Sequence, residues 1–491
     1  MSEAGPLDVL IVGAGFSGLG MAIKLKQRGG FSFLVLEKAD SLGGTWRDNH
    51  YPGAACDIPS NLYSFSFAQN PSWTRLYPPQ SEIKAYLESC ADRFGVRPHL
   101  RFGAALTRAS WDDRAQLWRC ETSTGDVIHA RALISGMGGL HTPHLPDLAG
   151  MDSFQGTSWH SADWRHDVSL DGKRVALIGT GASAIQIAPQ VAKKAAQLDL
   201  YQRTPPWIVP RRDTEVPVKT RALFKAMPLA QQMVRRLVYA VIEMRVLAFL
   251  HPRKDGGVGA LVARAHLARQ VTDEALRAKL TPNYEMGCKR VLISDNYYPT
   301  LQRPNVALIS DGARSVTPGG VIDGAGRERP ADVILYATGF KPMDLISSVE
   351  IIGREGRALR QEWANGPEAY LGTMTAGYPN FFTLMGPNSG LGHNSMIYMI
   401  ESQFSFVLDA LAQMARRGAG ALEVKAAAQA AFNADLQQRL AETVWNTGCA
   451  SWYLSPDGKN RALWPDFTFR FRARTKHIKP ADFIFAPRAA G

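Results

Sequence analysis

Two glycine turns of one design carry the chemistry most readily read from this chain. Gly13-Ala14-Gly15-Phe16-Ser17-Gly18 follows the β-branched run Asp8 to Val12 and opens an apolar-periodic segment through Leu19, Ala22, Ile23 and Leu25. Gly179-Thr180-Gly181-Ala182-Ser183-Ala184 follows Arg174 to Ile178 in the same way. Strand, glycine turn and helix together form a seat for a pyrophosphate. Gly13 permits the tight turn, Gly15 lets the phosphates approach the backbone, Gly18 lets helix and strand pack closely, and the helix N-terminus supplies N–H donors. At 37 − 13 = 24 residues past the first turn stands Glu37, after the expected strand Phe33 to Leu36. A carboxylate there accepts from both hydroxyls of a ribose. At the matching offset of the second turn, 203 − 179 = 24, stands Arg203. An arginine pairs with a 2′-phosphate that an acid would repel. The first site therefore suits FAD and the second NADPH; Thr180, Gly181, Ser183, Ala184, Gln186 and Thr204 are counted with the second.

Two such sites in one chain imply hydride transfer from nicotinamide to flavin. Where the electrons go next depends on the acceptor. Cys56, Cys90, Cys120, Cys288 and Cys449 lie far apart, with no CxxC pair to take them and no His clustering at metal spacing. Neither a disulfide framework nor a metal site is expected, and dioxygen becomes the leading acceptor.

The elements that hold these turns must come from 491 residues, 45% hydrophobic and 20% charged, enough for two or three globular domains. No secretory signal opens the sequence, and a reducing cytoplasm is expected. The longest membrane-span candidate, Leu237 to Leu250, carries Glu243 and Arg245 near its middle and reads as a helix of the fold rather than an integral membrane segment. Of the net charge of +12, most sits between Arg203 and Arg290, where 17 basic residues face 7 acidic ones. With no nucleic-acid-binding motif beside it, this charge is expected on a solvated helical face that draws in anionic cofactors, with a peripheral membrane contact as the remaining alternative.

Longer patterns connect the two turns. Phe154-Gln155-Gly156-Thr157-Ser158-Trp159-His160-Ser161-Ala162-Asp163-Trp164 fits FxGxxxHxxxW, and Gly43-Gly44-Thr45-Trp46 with Tyr51-Pro52-Gly53 and Asp57 fits GGxWxxxxYPGxxxD. On these motifs the chain resembles the class B flavoprotein monooxygenases, most closely the type I Baeyer–Villiger monooxygenases. The first pattern usually continues with Pro or Asp, and Arg165 departs from it. The resemblance runs on through Tyr336-Ala337-Thr338-Gly339-Phe340 and from Gly386 to Ser395, and is thinnest from about Asp213 to Thr281.

The resemblance implies an NADPH- and dioxygen-dependent enzyme that converts a ketone to an ester or lactone through a peroxyflavin. It places the cation that such an anion requires at Arg290, in Gly287-Cys288-Lys289-Arg290, with Lys289 directed at the NADPH phosphate and Asp57 orienting Arg290 across the flavin. Gly44, Thr45, Trp46 and Tyr63 are implied flavin contacts, and Trp452 a residue of a segment closing over nicotinamide and substrate. His160, in a linker, is given a domain-orienting role. Asn394 and Ser395 read independently as N-cap residues of a helix starting at Met396, whose N-terminus would favour an anionic reduced flavin ring.

The expected fold is α/β, with two doubly wound dinucleotide-binding domains, the NADPH domain inserted into the FAD domain and itself interrupted by helices. The expected boundaries are 1–145 and 340–491 for the FAD domain, 146–212 and 283–339 for the NADPH domain, and 213–282 for the helical insertion. Two alternatives stay open at this point: an N- or S-oxygenating flavin monooxygenase, and a non-catalytic flavin-binding or membrane-docking module.

Overall fold

The computed structural model describes residues 5–252, 256–342, 344–346, 348–449, 451–455 and 457–489. The run Leu7–Val12 pairs in parallel with Phe33–Leu36 on one side and with Val127–Ser135 on the other. An eight-stranded sheet grows from this centre. Beyond Phe33–Leu36 lies Leu100–Arg101, and beyond Val127–Ser135 an antiparallel meander continues through Leu117–Thr122 and Leu106–Asp112 to Glu350–Ile352. Phe381–Thr383 pairs in parallel with the last residues of Val127–Ser135, where the meander leaves that strand free. Val9 to Val12 of the central strand are buried on both faces, as their unbroken apolar run requires.

A second sheet of five parallel strands runs in the order Val306–Ile309, Gln197–Tyr201, Arg174–Ile178, Val333–Tyr336 and Thr157–His160. All its strands fall in the chain between Val127–Ser135 and Glu350–Ile352 of the first sheet. The second unit is thus an insertion into the first. The two connecting segments lie side by side: Pro143 and Phe340 pair antiparallel, the His144 N–H donates to Gly339 O and the Lys341 N–H to Thr142 O, both at 2.9 Å. His160 ends an edge strand beside this crossing. Its buried ring meets Phe340 edge-on, the centroids 5.6 Å apart, and its Nδ1 accepts the Ala162 N–H.

Between the two parts of the second sheet stand the helices Val218–Ala226, Pro228–Glu243, Val246–Leu250, Gly257–Gln270 and Glu274–Leu280. No described helix is long and apolar enough to cross a membrane. Lys219, Lys225, Arg236, Arg245, Arg264 and Arg269 lie on the expected solvated face, and two charged residues depart from it. Arg235 is buried and gives its guanidinium to the carbonyls of Asn61, Leu62 and Ser64, and Glu243 is buried as well. Periodicity tells which residues share a helix face, and the carbonyls of Asn61, Leu62, Ser64 and Asn70, which accept from Arg235 and Gln231, decide which face turns inward.

Among the described residues one disulfide is present, Cys288–Cys449, against the expectation that the cysteines stand apart. Cys56, Cys90 and Cys120 are free and buried.

Candidate active site

Both glycine turns stand where the strand order of their sheet reverses, the crevice at which doubly wound folds hold ligands. Gly13 takes φ +95°, and a Cβ there would stand 2.8 Å from Gly136 O at the end of the neighbouring strand. Gly179 takes φ +119°, and its Cβ would stand 2.4 Å from Ala337 O. The residues capping the two helices, Gly15 at φ −80°, ψ −166° and Gly181 at φ −76°, ψ −169°, share one backbone conformation, and neither helix has an acidic residue in its first turn. Gly18 lies too close to the turn for any side chain, its Cβ falling 1.8 Å from Gly13 O, whereas Ala184 holds the equivalent place in the second turn, fully buried. In front of Gly181 a Cβ would meet nothing within 4 Å. Glycine backbone before a helix N-terminus, open at Gly181 and faced by the Gly44 backbone at Gly15, fits a pyrophosphate at each turn.

Glu37 is buried beneath the first turn. One of its oxygens accepts the Ala14 N–H at 2.8 Å, and the other the Ala39 N–H at 3.1 Å and an Arg47 N–H at 3.0 Å. The Gly43-Gly44 loop closes over the turn, with the Gly43 N–H bonded to Ala14 O and Gly44 Cα 3.6 Å from the Cβ position of Gly15. The short helix Thr45–Asp48 then presents Trp46, whose Nε1 donates to Tyr63 Oη at 3.0 Å. Phe16 meets the Tyr63 ring edge-on, and burial holds the Tyr63 phenol well above its usual range, so it remains neutral. Phe16, Trp46 and Tyr63 form one aromatic wall; Ser17 lies buried behind it in the helix.

The YPG motif serves the junction of the two units. A Cβ at Gly53 would stand 2.8 Å from Gln186 O, so the helix of the second turn packs directly on this loop. Tyr51 Oη donates to Gln186 Oε1 at 3.0 Å, and Gln186 Nε2 returns a bond to Ala55 O; Ser183 lies against the same hydroxyl. Gln186 thus spends its amide on the first unit. Four residues past Gly53, Asp57 reaches Arg290, whose Nε donates at 3.1 Å and whose Nη2 makes a second, shorter bond to the same oxygen. The side chains stay 28% and 37% exposed to the crevice between the units. Burial works against the Asp57 charge, but the Arg290 charge and hydrogen bonds outweigh it and hold the carboxyl below the usual range. In return Asp57 holds Arg290 further into its charged form.

At the second turn Thr180 Oγ1 donates to Thr204 O, fixing the loop that carries Arg203 at the surface. The Lys289 ammonium is lowered from its usual range by burial and then by the charge of Arg203. Two like charges that act on one another beside a glycine turn could hold a dianion. Ser395 caps the helix Met396–Arg416 by accepting the Ile397 N–H at 3.3 Å, and Asn394 Oδ1 accepts the Ser395 N–H at 2.7 Å.

Residues 10–243 match the family described as pyridine nucleotide-disulphide oxidoreductase. A Baeyer–Villiger monooxygenase of Pseudomonas aeruginosa is 50% identical, over 97% of this chain and 90% of that protein. Another, from Streptomyces coelicolor, is 46% identical over 97% and 92%. The chain belongs to the Baeyer–Villiger monooxygenase family. Among solved structures, an oxidized steroid monooxygenase bound to NADP superposes with a TM-score of 0.88 at 31% identity, over 98% of this chain and all of that one. A closed cyclohexanone monooxygenase gives 0.87 at 29% identity, over 98% and 99%. With the family shown, the non-catalytic module falls away.

Within this monooxygenase, three parts of the site were not anticipated from the sequence. Trp452, expected over the nicotinamide and substrate, is 47% exposed, while its neighbour Tyr453 is 1% exposed and turns its hydroxyl toward Arg290 and Asp57. Burial pushes the Tyr453 phenol up to about 12. The Cys288–Cys449 bridge ties the Arg290 loop to the segment bearing these two aromatics. Arg211 adds another positive charge near Asp57 and donates to Cys56 O. The available cue was position: Cys288 stands two residues before Arg290, and Cys449 three before Trp452.

Proposed function

We propose that this enzyme holds FAD at the first glycine turn and NADPH at the second, and uses Arg290 and Asp57 to direct one oxygen atom of dioxygen next to a ketone carbonyl, giving an ester or lactone. The observation that carries this reading is the Asp57–Arg290 pair, held in the crevice between two pyrophosphate seats of one design. Bound there, the cofactors would supply hydride transfer and dioxygen activation. The protein supplies the rest. Arg290 is a fixed cation for negative charge on the reacting oxygen, and Asp57 orients the guanidinium through two bonds to one oxygen. Phe16, Trp46 and Tyr63 wall the flavin side against water, and the Ser395-capped helix directs its N-terminus as an electrostatic support for an electron-rich ring. Arg203 and Lys289 share the 2′-phosphate, Tyr453 closes the site behind Arg290, and Trp452 sits on the segment's outer face. An N- or S-oxygenating enzyme needs a proton donor at the reacting oxygen; Arg290, held in its charged form by Asp57, is a poor one.

The test is a panel of ketones, thioethers and tertiary amines with the FAD-loaded enzyme, NADPH and air, read by NADPH consumption and product mass. Products one oxygen atom heavier that hydrolyse to an alcohol and an acid support the reading. Sulfoxides or N-oxides formed in preference to esters would replace it with the heteroatom alternative.

Cofactor choice gives a separate expectation. Arg203→Ala removes one charge-assisted partner of the 2′-phosphate and should weaken NADPH by about tenfold to a hundredfold, leaving NADH nearly unchanged. Steady-state KM for the two nucleotides checks it. Equal losses for both would take Arg203 out of the phosphate site.

A further inference from the structure

The Pro228–Glu243 helix is built inside out. Its buried positions include Gln231, Arg235 and Glu243. Gln231 donates to Asn61 and to Asn70 O, Arg235 to three carbonyls, and Glu243 accepts from Asn394 and from both the N–H and the hydroxyl of Thr468. A row of outward positions is apolar: Leu229, Met233, Leu237, Val241 and Met244 recur three or four residues apart and are 56–72% exposed. Spacing of that kind lines one face of a helix. Met227, just ahead, and Leu223 on the Val218–Ala226 helix packed alongside extend the same exposed character. Scattered surface leucines need no explanation, but a continuous apolar stripe with the polar residues turned inward does.

The charge around the stripe selects its partner. Between Val216 and Thr272 the sequence holds ten basic residues and two acidic ones, Glu243 and Asp255. Glu243 is buried and engaged, so it does not temper the outer surface. Lys219, Lys225, Arg236 and Arg245 are exposed around the apolar row. A second copy of the chain laid on this face would bring like charges together, and an uncharged apolar partner would leave the cations without complement. An anionic lipid surface satisfies both features, taking the apolar stripe into its headgroup–acyl boundary and the cations among its phosphates.

We propose that the Pro228–Glu243 helix docks this enzyme on anionic lipid bilayers, lying in the interface plane. The docked helix leads directly to the catalytic crevice. It is followed by Val246–Leu250, where Phe249 stacks on Trp445 at 5.4 Å and stands against Gly287 of the Arg290 loop. A ketone dissolved in the bilayer would thus meet the enzyme next to its site.

The test uses the FAD-loaded full chain and sedimentation with vesicles of phosphatidylcholine, with or without about one third phosphatidylglycerol. The expected result is binding to the anionic vesicles, weakened by salt, with little binding to phosphatidylcholine alone. The variant Leu229→Gln/Met233→Gln/Leu237→Gln, changed only at exposed positions, should keep its flavin and its turnover of a water-soluble ketone and lose at least tenfold in vesicle partitioning. Lys225→Glu/Arg236→Glu should lose a similar amount on anionic vesicles only. Equal partitioning of parent and both variants would overturn the proposal. So would a parent that binds no vesicles but sediments as a dimer that the triple variant dissolves, which would assign the stripe to a second copy of the chain.

Discussion

Gly13→Val yields a protein without flavin. The backbone at Gly13 lies at φ +95°, where a β-branched residue is strained by about 1–3 kcal/mol before any contact is considered. The contact is worse than the strain. A Cβ would stand 2.8 Å from Gly136 O and 3.3 Å from Met137 Cα, both backbone atoms of the adjacent loop, so neither can rotate away as a side-chain tip could. Relief requires the two strand ends to part, and that dismantles the N–H cradle at the Phe16–Arg28 helix. The purified variant should be colourless, with a flavin-to-protein ratio near zero, and added FAD should not restore its absorbance. Because such a variant can fail by misfolding, Gly179→Val serves as its counterpart: the same kind of clash, 2.4 Å from Ala337 O, placed in the other turn. That protein should stay yellow and no longer lose its colour on adding NADPH. A Gly13→Val protein retaining stoichiometric FAD would show that the first turn is not the flavin site.

Arg290→Ala separates oxygenation from flavin reduction. Hydride transfer needs two rings aligned, whereas oxygen insertion also needs negative charge held unprotonated beside a cation. Loss of one such stabiliser costs about 10² to 10³ in rate. The variant should therefore keep its colour, lose it to NADPH under anaerobic conditions, and form ester about 10² to 10³ times more slowly, with the oxygen it consumes recovered as hydrogen peroxide. Asp57→Ala should show a milder form of this uncoupling, since Arg290 keeps its charge and loses only the oxygen that orients it. The ratio of ester to peroxide per NADPH is the measurement. Ester at the parental rate from Arg290→Ala would place the stabilising charge elsewhere, and Arg211, whose charge also acts on Asp57, would be tested next.

What could be read ahead of the structure was local. The glycine turns declare themselves because strand, turn and helix are contiguous and their physics acts over six residues; two copies of that unit announce two nucleotide sites, and the insertion of one domain into the other came with the family resemblance. Asp57 and Arg290 lie 233 residues apart, and only the family resemblance brought them together. Cys288 and Cys449 lie 161 apart, with nothing in either neighbourhood to mark the other. Trp452 and Tyr453 show a different limit. In an irregular segment no period says which of two neighbouring aromatics turns inward, and the resemblance pointed to Trp452 alone. The Pro228–Glu243 helix shows a third, since its pattern is amphipathic in either orientation and only the carbonyls of Asn61, Leu62 and Ser64 reveal that Arg235 faces in.

The paired connectors at Pro143 and Phe340 have a mechanical consequence. A single peptide link lets a domain swivel about many bonds, but two strands hydrogen-bonded edge to edge bend readily only across the plane of their ribbon. The inserted unit is therefore hung as on a hinge, and the Asp57–Arg290 pair and the Cys288–Cys449 bridge both join it to the first unit across the opening. On the proposed reading, any opening that parts Asp57 from Arg290 would undo the ion pair the chemistry uses, so the enzyme would be reactive only when shut. Cysteines introduced at Thr142 and Lys341, already joined by a backbone hydrogen bond, should couple the two connectors without slowing turnover. A large loss of turnover on oxidising that pair would mean that the connectors must part, and that the unit swings on some other axis.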